Sequence, residues 1–130
     1  MKVLALDYGP ARTGVAVSDP TGTLARPVGV VERASTEAGL ARLLEVVRAE
    51  EPDRIVVGLP LTLRGDHGEQ ARETETFVRG LRDIVDIPVE LYDERFTTNL
   101  AEGGGAADED SRAAAHLLSS YLAWAGRAGR

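Results

Sequence analysis

Residues 1–14 read MKVLALDYGPARTG. Val3 to Leu6 form an apolar run of the kind that makes a buried strand. The run closes on a carboxylate, Asp7, and a glycine, Gly9, follows two residues later. A carboxylate at the end of a core strand is costly unless it has a partner. The candidate partners are a metal, a phosphate held through a metal, a basic side chain, or the amides of a turn.

Working outward, Lys2 to Asp7 predicts a first strand. Gly14 to Ser18 predicts a second, reached through a short turn containing Gly and Pro, and Pro27 to Glu32 a third. Short connections make these three an antiparallel meander. The period then changes. Leu40, Leu43, Leu44 and Val47 fall at the i, i+3, i+4, i+7 spacing of one helical face. Ser35 or Thr36 can cap that helix, and Pro52 ends it. Arg54 to Gly58 is a continuous apolar strand, and the loop LPLTLRGDHG follows. A charged helix is expected over about 69–81, with Glu75 and Arg79 spaced for an ion pair. Val89 to Tyr92 predicts another strand, and about Asp110 to Ala125 a last helix. A meander followed by alternating helices and strands implies an α/β fold, a mixed sheet with helices on both faces. Its first strand is expected at the centre, since both of its faces are apolar. AEGGGAADEDS is the one low-complexity stretch and reads as a loop.

Composition narrows the chemistry. A length of 130 residues fits one domain spanning 1–130. The hydrophobic share of 43% is ordinary for a globular chain. The absence of cysteine excludes disulfides, a thiol nucleophile and thiolate metal sites. Two histidines, His67 and His116, are too few for a histidine-rich metal centre. No apolar run approaches a membrane span and no signal-peptide pattern opens the chain, so a cytoplasmic protein is expected. The net charge of −6 argues mildly against a nucleic-acid partner, although net charge says little about one face.

Three acidic positions stand out. Asp7 ends the first strand, Glu94 follows the last strand in LYDERFTT, and Asp110 begins the last helix. Asp110 is in phase with Ala114, Leu117, Leu118 and Tyr121, the apolar face of that helix, so its side chain is expected to point toward the sheet. Asp108 and Glu109 are expected in or beside the loop. Three converging carboxylates repel one another unless they surround hard cations, and Mg²⁺ or Mn²⁺ prefers oxygen ligands. Two such ions can clamp the attacking and leaving oxygens of a phosphodiester. Plainer roles stand beside these. Asp7 suits a turn aspartate bonding the amides of Gly9 or Ala11. Asp110 suits a helix N-terminus. Glu94 suits an ion pair with Arg95 or Arg12. Asp93 falls on the opposite side of its strand from Glu94. His116 reads as a half-buried helix residue, His67 as a loop residue, and Tyr121 and Trp124 as packing.

DYGPARTGVAVSD, VVGLPLTLRGDHGEQA, DERFTT and DSRAAAHLLSSYL, taken together and in order, resemble the YqgF (RuvX) family. That family is known as Holliday junction resolvases and pre-16S rRNA nucleases, and the resemblance runs nearly end to end. It implies an RNase H-like fold with five strands in the order third-second-first-fourth-fifth. It implies metal ligands at Asp7, Glu94 and Asp110. It points also to Gly9, Arg12 and Gly14 after the first strand, to the Gly58-Leu59-Pro60 turn, and to Arg95 and Thr98 as substrate contacts. The activity implied is metal-dependent phosphodiester hydrolysis, with Mg²⁺ or Mn²⁺ as cofactor. Precursor rRNA is the first expected partner and branched DNA the second. The chain departs from the family pattern at Ala11, where a basic residue is common. It departs again before the last helix, where a basic segment is replaced by the short acidic LAEGGGAADED. A non-catalytic nucleic-acid-binding module is the rival that this acidic segment favours. The actin and sugar-kinase superfamily shares the Asp-x-Gly turn but needs two such domains around a nucleotide.

Overall fold

The computed structural model describes residues 1–60, 64–93 and 106–128. The elements run β1 (Val3–Asp7), β2 (Arg12–Ser18), β3 (Ala25–Glu32), α1 (Glu37–Glu50), β4 (Arg54–Leu59), α2 (Glu69–Arg82), β5 (Val89–Asp93) and α3 (Ala106–Ala128). One five-stranded sheet has the order β3-β2-β1-β4-β5. β2 pairs antiparallel with β1 and β3, whereas β4 runs parallel to β1 and to β5. This is the strand order that the family resemblance implies, with β1 at the centre, as its two apolar faces led us to expect.

Side-chain alternation along the strands sorts the core into two layers. Val3 and Ala5 of β1, Ala16 of β2, Val56 of β4 and Tyr92 of β5 pack against Ala114, Leu117, Leu118 and Tyr121 of α3. Leu4, Leu6, Val15, Val17, Ile55 and Val57 face the other way, onto Leu43 of α1 and Phe77, Val78 and Leu81 of α2. Leu4, Leu6, Leu117 and Leu118 are at most 2% exposed. Each such leucine stabilises the fold by about 1.5–3 kcal/mol relative to an exposed one.

Local chemistry sets the boundaries. Thr36 caps α1, its hydroxyl oxygen accepting from the Gly39 amide at 3.1 Å. Such a cap contributes about 1 kcal/mol. The chain leaves α1 through Glu51 in the left-handed region (φ 49°), ahead of Pro52. Between β2 and β3, Asp19 organises the hairpin. Its carboxylate accepts from the amides of Thr23 and Leu24, both at 2.8 Å, and from the Thr21 hydroxyl.

Two expectations are corrected. The last helix does not begin at Asp110 but at Ala106, so Asp108 and Glu109 are helical. Alanine is the strongest helix former, and acidic residues are favoured near a helix N-terminus, so the helix takes in residues that read as loop. Glu75 turns not to Arg79 but to His67, with Oε1 at 2.5 Å from Nδ1, while Arg79 donates to the Thr76 hydroxyl at 3.2 Å. The partner N-terminal to α2 is closer to Glu75 than the next turn of its own helix.

Candidate active site

The parallel strands β1, β4 and β5 share one carboxyl end. Leu6 pairs with Val57, and Val57 with Leu91, so Asp7 lies at the level of Gly58 and Tyr92. In open α/β sheets this is the edge where ligands bind. Asp7 continues the alternation of Val3 and Ala5, so it lies on the α3 side of the sheet.

Gly14 connects this strand end to α3. It is the cross-strand partner of Asp7 in the β1–β2 ladder. A Cβ placed on Gly14 would overlap the backbone carbonyl of Asp110. The helix therefore lies directly on the β2 backbone where Asp7 pairs with it, and only glycine leaves it room. Asp110 is the fifth residue of α3 and is half-buried, with its side chain 30% exposed. Two carboxylates far apart in sequence are thus carried to one face of the same strand end. The bond between the aspartates' neighbourhoods is an ion pair: Arg12 Nε donates to Asp110 Oδ2 at 2.7 Å. Arg12 lies on the same side of β2 as Gly14 and Ala16, which explains how it reaches α3.

Gly9 serves the turn between β1 and β2, where a Cβ would come within 2.6 Å of the Arg12 carbonyl oxygen. The turn is anchored on its far side by the Arg33 amide, which donates to the Ala11 carbonyl at 3.0 Å. Tyr8 points to the opposite face and stacks on Phe77, with centroids 4.4 Å apart.

Of the expected site residues, Asp7, Gly9, Arg12, Gly14 and Asp110 come together at this edge. Gly58 lies beside Asp7 on β4, followed by Leu59 and Pro60. Glu94, Arg95 and Thr98 lie outside the described residues. Among the described residues no three metal-ligating side chains cluster. The pair of hard oxygen donors at Asp7 and Asp110 fits a divalent cation that takes its remaining ligands from elsewhere.

Two features escaped the sequence reading. Arg12 was named only as one possible partner of Glu94, which lies outside the described residues, and its pairing with Asp110 was not foreseen. Gly14, to which the resemblance pointed, admits the backbone of α3, which was not foreseen. The alternation of β2 places Arg12 and Gly14 on one face, but nothing local says which helix covers that face.

At the other end of the sheet, Tyr121 donates to Glu90 Oε2 at 2.8 Å and accepts from Arg54 Nη1 at 3.0 Å. Burial and the Glu90 carboxylate push its phenol above the ordinary range, against the opposing pull of Arg54. Tyr92, Tyr121 and Trp124 form an aromatic cluster, in which Tyr121 is buried and Trp124, read as packing, is 47% exposed. No helix among the described residues is long and apolar enough to cross a membrane.

Comparisons with known proteins agree with this architecture. Residues 1–124 match the family described as RuvX, Holliday junction resolvase. A Roseiflexus sp. (strain RS-1) protein named "Putative pre-16S rRNA nuclease" is 46% identical over 101 residues, covering 78% of this chain and 72% of its own. A protein of the same name from Maridesulfovibrio salexigens is 38% identical over 133 residues, covering 95% and 98%. Among solved structures, T. thermophilus RuvC in complex with a Holliday junction substrate superposes with a TM-score of 0.59 at 18% identity, covering 96% of each chain. That likeness establishes an RNase H-like fold.

Proposed function

Because this chain belongs to the RuvX family of nucleases, we propose that it is a metal-dependent endonuclease acting on the 5′ end of precursor 16S rRNA in the cytoplasm. The observation that carries the reading is the close approach of the Asp110 backbone in α3 to Gly14, the cross-strand partner of Asp7. The names of relatives that cover nearly the whole chain support RNA as the substrate.

Asp7 and Asp110 are the described ligands in this proposal. Glu94 is the third, carried over from the DERFTT motif that resembles the family's. Mg²⁺ or Mn²⁺ is the proposed ion, because the donors are hard oxygens. A divalent cation held there supplies Lewis-acid stabilisation of the phosphoryl charge and a water of lowered pKa.

The chain's own residues do the rest. Asp7 sits on a strand paired on both sides and Asp110 on a long helix, so both carboxylates are held by rigid elements. Arg12 is the cation beside them and contacts a substrate phosphate in a fork suited to that group. Arg95 and Thr98 extend the substrate contacts, and Gly9 keeps the β1–β2 turn tight so that Arg12 stays near Asp7.

The test is cleavage of a precursor 16S rRNA fragment and of a four-way DNA junction in Mn²⁺, with Asp7→Asn alongside. Cleavage of the RNA that is lost in Asp7→Asn is the expected result. Preferential cutting of the junction would move the substrate to branched DNA. No cleavage of either would leave the non-catalytic module.

A further inference from the structure

The pair between Arg12 and Asp110 joins a proposed substrate contact to a proposed metal ligand. Resting on the metal-dependent reading above, we propose that Arg12 occupies Asp110 as a stand-in cation until the metal arrives, so that metal binding releases the guanidinium to the substrate. Metal and nucleic acid then bind cooperatively through this one side chain.

The geometry carries the argument. Arg12 Nε lies 2.7 Å from Asp110 Oδ2, a full charge-assisted bond. Gly14 presses the α3 backbone onto β2 at Asp110, so the carboxylate cannot retreat from Arg12 by moving the helix. The arginine can leave. It is the first residue of β2, and its side chain is 47% exposed. An oxygen ligand of a divalent cation loses much of its attraction for a guanidinium, because the carboxylate charge is already neutralised and the two cations repel. Freed in this way, Arg12 stands at the strand end beside Asp7, with a planar fork suited to a phosphodiester.

The coupling is reciprocal. If metal frees Arg12 for a phosphate, a phosphate that draws Arg12 away frees Asp110 for metal, by the same factor. The size is bounded by the exposure of the pair. Ion pairs this open are weak, so the competition is worth a factor of about two to five in metal affinity.

Three measurements test the proposal. The first is the Mn²⁺ affinity of wild type, Arg12→Ala and Arg12→Gln by calorimetry. The second is the same comparison in an Asp110→Asn background. The third is binding of a cleavage-resistant phosphorothioate RNA oligonucleotide, in Mn²⁺ and in EDTA. Both Arg12 variants should bind Mn²⁺ about two- to fivefold more tightly than wild type. That gain should vanish in Asp110→Asn, which separates a direct pair from general repulsion between cations. Arg12→Ala should weaken RNA binding about two- to fivefold more in Mn²⁺ than in EDTA, where Asp110 competes with the phosphate for the guanidinium. Mn²⁺ affinity that is unchanged or lowered in the Arg12 variants overturns the proposal, as does an equal loss of RNA binding with and without metal. A wild type that takes up no Mn²⁺ overturns the metal-dependent reading as well. Normal metal uptake that is lost in Asp7→Asn, without the Arg12 effects, leaves that reading standing and removes only the exchange.

Discussion

Gly14 and Asp110 touch backbone to backbone, and no side chain fits between them. One is the cross-strand partner of Asp7, and the other is the fifth residue of the last helix. Through this contact the position of α3, and with it the backbone of Asp110, is set against the strand end that carries Asp7.

Replacing Gly14 by alanine should therefore damage the site more than its size suggests. The methyl group must push the first turns of α3 away from β2. Overpacking of this kind costs about 1–3 kcal/mol. A lowered melting temperature together with loss of Mn²⁺ binding is expected, read by thermal unfolding and calorimetry. A variant with wild-type metal affinity would separate Gly14 from the placement of Asp110.

Asp7→Asn keeps the shape and removes the charge. Cleavage should fall below detection while the melting temperature in EDTA stays within a few degrees of wild type. Added Mn²⁺ should raise the melting temperature of the wild type, by mass action on the folded state, and leave the variant unchanged. A metal-induced shift of equal size in both proteins would return Asp7 to the role of a turn aspartate.

Asp19 gives a dependence on acid. Bonds from the Thr21 hydroxyl and the amides of Leu24 and Thr23 hold its carboxyl well below the usual carboxylate range. A carboxyl whose pKa is lower folded than unfolded adds stability above the unfolded value, and this is lost as pH falls toward the folded one. Asp19→Ala should lower the melting temperature at neutral pH. The gap from wild type should narrow steadily as the solution is taken below the ordinary carboxylate range. A gap independent of pH would mean that the hairpin amides find other acceptors.

Tyr121 gives the opposite dependence. A phenol raised on folding contributes stability that is present below its unfolded value of about 10 and is lost as pH climbs through the folded one. Tyr121→Phe should cost about 1–2 kcal/mol near neutrality, because Arg54 and Glu90 both lose a partner. Urea unfolding across alkaline pH should show wild type losing stability more steeply than the variant. Parallel profiles would mean that Tyr121 does not titrate with unfolding.

The order of elements was legible in the chain itself. The apolar runs in VLALD, GVAVS and β4, and the helical spacing of Leu40, Leu43, Leu44 and Val47, are local patterns, and local backbone geometry follows them. They predicted the central strand and the mixed sheet. The strand order itself came from the family resemblance. The inward phase of Asp110 was equally legible, since it depends only on spacing within one helix. Its place in that helix was not. Ala106 to Glu109 read as part of a low-complexity loop, because the glycines before them masked the helix propensity of the alanines.

What the tertiary structure alone decided is the company each residue keeps. Composition and spacing could name Arg12 as a basic residue near Asp7, but not that its partner would come from α3. Nor could they say that Gly14 would lie under the backbone of α3. Both outcomes depend on which element covers the Val3–Ala5–Ala16 face of the sheet. That choice is a sum over many apolar contacts made by Ala114, Leu117, Leu118 and Tyr121. No single position in the chain records such a sum, because a buried side chain specifies that it must be covered and not what covers it.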